Sequence, residues 1–73
     1  MTIYGMQHGS KYEGMYEQKF FFLEQDAIEC AENKVKDENK NVERFKRHPF
    51  GGSQFNMWES DSEWISVFSA KVN

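Results

Sequence analysis

Seventy-three residues, 29% of them charged, with a net charge of −3, make a single domain over residues 1–73 with room for one modest core. One cysteine, Cys30, excludes an internal disulfide and fits a reducing compartment, here expected to be the cytoplasm. The longest apolar run, Phe20 to Leu23, is too short to cross a bilayer, and Met1-Thr2-Ile3-Tyr4 lacks the regions of a secretion signal, so no membrane partner is expected.

In chain order, Thr2 to His8 reads as a short strand ending in the turn-like His8-Gly9-Ser10. From Tyr12 the alternation is clear. Tyr12, Tyr16, Phe20 and Phe22 share one face, and Glu13, Met15, Glu17 and Lys19 share the other, the pattern of a strand packed on one side only. Phe21 breaks the polar face and calls for cover from the loop near Pro49 or for exposure. A helix is expected over about 24–38. Asp26 with Glu29 reads as a capping box, and Ile28, Ala31 and Val35 make an apolar stripe with Ala27 beside them. Val42 and Phe45 would continue that stripe into a frayed extension toward Arg47. Cys30 falls within the helix, where a buried or half-buried thiol is expected.

His48-Pro49 ends any helix, and Gly51-Gly52-Ser53 supplies loop backbone. A β-hairpin follows, Gln54 to Glu59 and Glu63 to Val72, turning at Ser60-Asp61-Ser62. Its last strand is apolar on both faces, with Trp64 and Phe68 on one and Ile65 and Val67 on the other. That favours a central position in the sheet. The expected fold is α+β: a four-stranded antiparallel sheet with one helix packed on one face, in the order β-β-α-β-β.

Charge is unevenly distributed. Residues 1–33 hold two bases against six acids, a net of −4; residues 34–48 hold six bases against three acids, a net of +3. Residues 49–73 return to −2, with Glu59, Asp61 and Glu63 close together. Such asymmetry bears on partners, not on fold.

No catalytic set can be assembled. His8, Cys30 and His48 are scattered, and neither a C-x-x-C nor an H-x-x-x-H offers metal-ligand spacing, so neither enzyme activity nor a cofactor or metal is expected. Gly5, Gly9 and Gly14 precede a strand and lack a following Gly-Lys-Ser/Thr, which excludes a phosphate loop. What remains is surface. Met15, Glu17, Phe21, Trp58, Asp61 and Glu63 are the expected contacts of an aromatic and acidic face that binds a larger protein. Trp64 replaces Trp58 if the sheet faces lie the other way round. The alternative is nucleic-acid binding through the basic stretch 34–48, with Lys40, Arg44, Lys46 and Arg47 tracking phosphates and Phe45 or Phe50 stacking on bases. Unpaired sheet edges also lead us to expect a homodimer.

Phe20-Phe21-Phe22 followed by Asp26-Ala27-Ile28 and Ala31-Glu32-Asn33-Lys34-Val35, with the aromatic hairpin at the end, resembles the layout of many small bacteriophage accessory proteins. Small phage inhibitors of host RNA polymerase or of bacterial defence systems are similar in size and charge. The resemblance implies a non-catalytic inhibitor or regulator, in the host cytoplasm, that docks on a larger host protein and blocks it.

Overall fold

The computed structural model describes residues 1–40, 44–48 and 54–72, with only the backbone of residues 48, 54 and 55. Five strands and one helix follow in the order β1 (Thr2–Ser10), β2 (Gly14–Phe21), α1 (Glu24–Glu38), β3 (Lys46–His48), β4 (Gln54–Glu59) and β5 (Glu63–Lys71). The fold is α+β, and its antiparallel sheet has five strands in the spatial order β2-β1-β5-β4-β3, one more than the expected four. The extra strand is Lys46–His48, which pairs with Met57–Glu59 of β4 and replaces the helical extension toward Arg47.

β5 is central, as its doubly apolar sequence requires. It pairs with β1 from Thr2↔Lys71 to Ser10↔Glu63 and with β4 on its other side. Both hairpin strands fall where the alternation put them. β1 runs on through His8-Gly9-Ser10, and the turn is displaced to Lys11–Glu13. There the Ser10 hydroxyl accepts the amides of Tyr12 and Glu13 at 3.0 and 3.1 Å, and Gly14 takes φ 91°, a conformation that costs glycine least.

α1 spans the expected residues 24–38, but Asp26 does not cap it. The N-cap is Leu23, without a side-chain hydrogen bond to the first turn. Glu24 and Asp26 still lie at the positive end of the helix dipole. The helix packs over β1, β5 and β2. Ala27 and Ala31 are fully buried, and with Met6, Phe45, Trp58, Ile65 and Val67 they form the core; Phe21, Ile28, Cys30 and Val35 pack partly against it. Two alanines at the contact let the helix approach the sheet closely while Met6, Ile65 and Val67 supply the bulk.

Phe45 reaches that core from outside the helix. Asn39, the C-cap, accepts the amides of Arg44 and Phe45 on its Oδ1 at 2.8 and 2.9 Å and donates through Nδ2 to the Phe45 carbonyl at 3.4 Å. One amide side chain therefore grips the returning chain and fixes Phe45 under the helix end. Val42, expected to continue the apolar stripe, and Pro49, Phe50 and Gly51-Gly52-Ser53, expected to give cover, stacking and loop backbone, lie outside the described residues.

Candidate docking face

The helix covers one side of the sheet, and among the described residues no element covers the other. Pairing fixes which side chains stand there. β1 alternates, sending Met6 and His8 toward the helix and Ile3, Gly5, Gln7 and Gly9 away from it. Cross-strand partners share a face, so Trp64, Ser66, Phe68 and Ala70 of β5, with Met57 and Glu59 of β4, join the uncovered side. From β2 come Met15, Gln18 and Phe20.

Two glycines shape this surface. Gly5 lies opposite Phe68 and Gly9 opposite Trp64. A Cβ at Gly5 would overlap the Phe68 ring, and one at Gly9 would stand 2.6 Å from Trp64 Cζ2. The rings fill the space that the glycines leave, which lowers the relief of the face and half-buries both aromatics. Phe20 meets Phe68 edge to face with centroids 6.1 Å apart and stays 56% exposed; Met15 is 51% exposed. Beyond Phe20 the apolar surface continues to Ile3 and to Phe22 and Leu23, both largely exposed. In a hollow lined by Gln7, Met57 and Trp64, Ser66 is 2% exposed and its hydroxyl has no hydrogen-bond partner among the described residues. The charged end of the face carries Lys46 opposite Glu59, with Lys11 bridging Glu59 at 2.9 Å. That bridge, the largest influence on Lys11, raises its pKa against a smaller desolvation effect.

The alternation of Tyr16 with Phe20 fails at a β-bulge. β1 pairs His8 with Glu17 but Gly9 with Met15, leaving Tyr16 as the extra residue. The bulge shifts the parity, so Tyr16 meets the His8 ring at 5.3 Å on the helix side while Phe20 stands on the uncovered side. The alternating series Tyr12, Tyr16, Phe20 and Phe22 thus lines no core, and all four are exposed.

The six expected contacts separate. Met15 is on the uncovered face. Glu17 is on the helix side, bridged to Lys34 at 3.2 Å, and Phe21 is half-buried against the core. Trp58 belongs to the core at 9% exposure, so the faces lie the other way round and Trp64 stands on the uncovered side. Asp61 is exposed in the β4–β5 turn. Of the basic residues, Arg44 bridges Glu38 and Glu63 and Arg47 donates to Asn56 Oδ1 at 2.6 Å; Lys40 and Lys46 are exposed.

Glu63 is part of a clasp. His8, 5% exposed, donates from Nε2 to Glu63 Oε1 at 2.7 Å, while Arg44 Nη2 donates to Oε2 at 2.9 Å. The His8 hydrogen bond, aided by Arg44 and opposed by burial, holds the Glu63 carboxyl below its ordinary range. This clasp ties β1, the start of β5 and the chain leaving the helix, which no spacing in the sequence connects. Among the described residues no three His, Cys, Asp or Glu side chains gather to hold a metal ion, and no helix is long and apolar enough to cross a membrane.

No protein-family model matches the chain, and neither curated proteins nor solved structures match it.

Proposed function

We propose that this chain is a non-catalytic protein-binding module that docks on a larger protein through the uncovered face of its sheet. The observation that carries this is the apolar row Met15, Phe20, Met57, Trp64 and Phe68 on a face without cover among the described residues. Apolar surface of that kind in a small chain marks a contact site, and tryptophan is the residue most enriched in binding hot spots. A protein suits this face better than a nucleic acid, because its one described cation on the strands, Lys46, lies opposite Glu59 and both Arg44 and Arg47 are committed within the fold. Similarity in size and layout to small phage accessory proteins favours the inhibitory form, in which docking blocks the target.

The test is affinity capture from host lysate with the wild-type chain and with Phe20→Ala and Trp64→Ala in parallel. A stoichiometric protein held by the wild type and lost by variants of unchanged circular dichroism supports the proposal. Equal capture by all three, or tight binding of DNA or RNA that falls steeply with salt, would overturn it.

A further inference from the structure

The sheet has two edges, and they differ. β3 is three residues long and reads Lys46-Arg47-His48, so a second copy laid against it would meet like charge. β2 is eight residues long and carries Glu17 and Lys19 two positions apart on the helix side, with Gln18 between them on the uncovered side. No described strand pairs with its outer edge.

We infer that β2 pairs antiparallel with β2 of a second copy about a two-fold axis through Gln18, joining the two sheets into one of ten strands. Two-fold pairing makes one residue face itself, and each choice of that residue sets all the others. An axis at Glu17 opposes two carboxylates, and an axis at Lys19 opposes two ammonium groups. An axis at Phe20 sets Lys19 against Phe21. Only the axis at Gln18 places Glu17 opposite Lys19 of the second copy, and symmetry makes that pair twice. Opposite charges directly across a ladder stabilise it and like charges destabilise it, so one register is selected. The bulge at Tyr16, which this axis sets opposite Phe20 of the second copy, bounds the regular ladder at both ends by symmetry and keeps Glu17, Gln18 and Lys19 at its centre.

The helices allow this arrangement. A two-fold axis normal to the sheet keeps both copies of α1 on the same side, and α1 lies over β1, β5 and β2. β1 and its copy would be three strand spacings apart, about 14 Å, against the roughly 8–10 Å at which two helices pack. The groove between α1 and β2, where Glu17, Lys19, Lys34 and Asp37 already meet, then becomes a charged seam between the two helices. The uncovered faces come to lie side by side on the other surface, so pairing leaves the docking face free.

Sedimentation and light scattering at tens of micromolar test the pairing. The wild type is expected to have twice the 8.7 kDa mass of one chain. Lys19→Glu sets like charges together twice and is expected to weaken the dimer about tenfold or more. Glu17→Lys combined with Lys19→Glu restores both pairs and is expected to restore the dimer. Register is read by oxidation: Gln18→Cys forms an inter-chain disulfide, while Tyr16→Cys, far from its own symmetry mate, does not. A monomeric wild type, a dimer indifferent to Lys19→Glu, no rescue in the double variant, or equal crosslinking at positions 16 and 18 would each overturn the inference.

Discussion

Trp64 and Ile65 are neighbours in sequence and live in different solvents. Ile65 points into the helix-covered layer and is fully buried, beside Met6, Val67, Ala27 and Ala31. Trp64 points the other way, onto a face that only glycine spacing flattens. The covered layer packs Met6, Ile65 and Val67, together with Phe45 and Trp58, against two alanines. The uncovered layer sets Phe68 and Trp64 across glycines, with Phe20 edge to face on Phe68. Burial in the first stabilises the monomer. In the second, much of the apolar area is left to be removed from water by something else.

That contrast can be broken directly. Ile65→Ala is expected to cost about 3 kcal/mol of unfolding free energy, a large share of the total stability of a domain this small; urea titration followed by circular dichroism measures it. Trp64→Ala, one residue earlier, should remove more than about 2 kcal/mol from partner affinity while leaving the molecule folded, as calorimetry on the complex and on the free chain would show. Equal losses of stability at the two positions would erase the distinction between the faces.

A smaller effect sharpens it. Gly5→Ala puts a Cβ into the Phe68 ring and is expected to cost about 1–2 kcal/mol. In a Phe68→Ala background the same change should cost almost nothing, giving a coupling that a double-mutant cycle reads out. Additive losses would mean that the ring does not depend on the missing Cβ.

The clasp at the sheet's end gives a pH signature. The folded-state pKa of Glu63 lies below its ordinary value, with the His8 hydrogen bond the largest cause. Its carboxylate therefore contributes stability above the unfolded-state value, and that contribution is lost as pH falls through the folded-state value. Denaturation midpoints taken from about pH 6 down to about pH 3 should fall less steeply in Glu63→Gln than in the wild type. The smallest effect is expected at Asp26. Since its side chain caps nothing, Asp26→Ala should cost below about 0.5 kcal/mol, against about 1 for a true N-cap, in the same urea titration.

The central parts of the fold were legible because their signals were redundant. β5 has apolar residues on both faces, so it had to be flanked on both sides. The helix carries a clean stripe from Ala27 to Val35. β3 was not legible, since Lys-Arg-His has no alternation and its strand state comes from pairing with β4. The position of Phe45 depends on Asn39 closing a six-residue gap, a contact with no periodic trace. Tyr16 and Phe20 look like one face in any period-two count. A single extra residue against β1 separates them, and only the partner strand records it. The side of the sheet on which each tryptophan stands was not legible for the same reason. Deciding which tryptophan is buried requires the register of β1 on β5, which glycines and large rings settle in three dimensions.

β1 and β5 are the first and last strands, yet they pair along their whole length at the middle of the sheet, and Met1 and Val72 exchange backbone hydrogen bonds at 3.2 and 2.7 Å. The centre of the molecule therefore waits on the contact of longest sequence separation in the chain. While β5 is still unsynthesised, β1 and β2 can form only an isolated hairpin, which is marginal in water, and α1 has half a floor. Closing so long a loop before its contacts reward it slows folding. Assembly should therefore be all-or-none, with little native structure until the fifth strand arrives, and stop codons placed before Glu63 should yield chains degraded as unfolded.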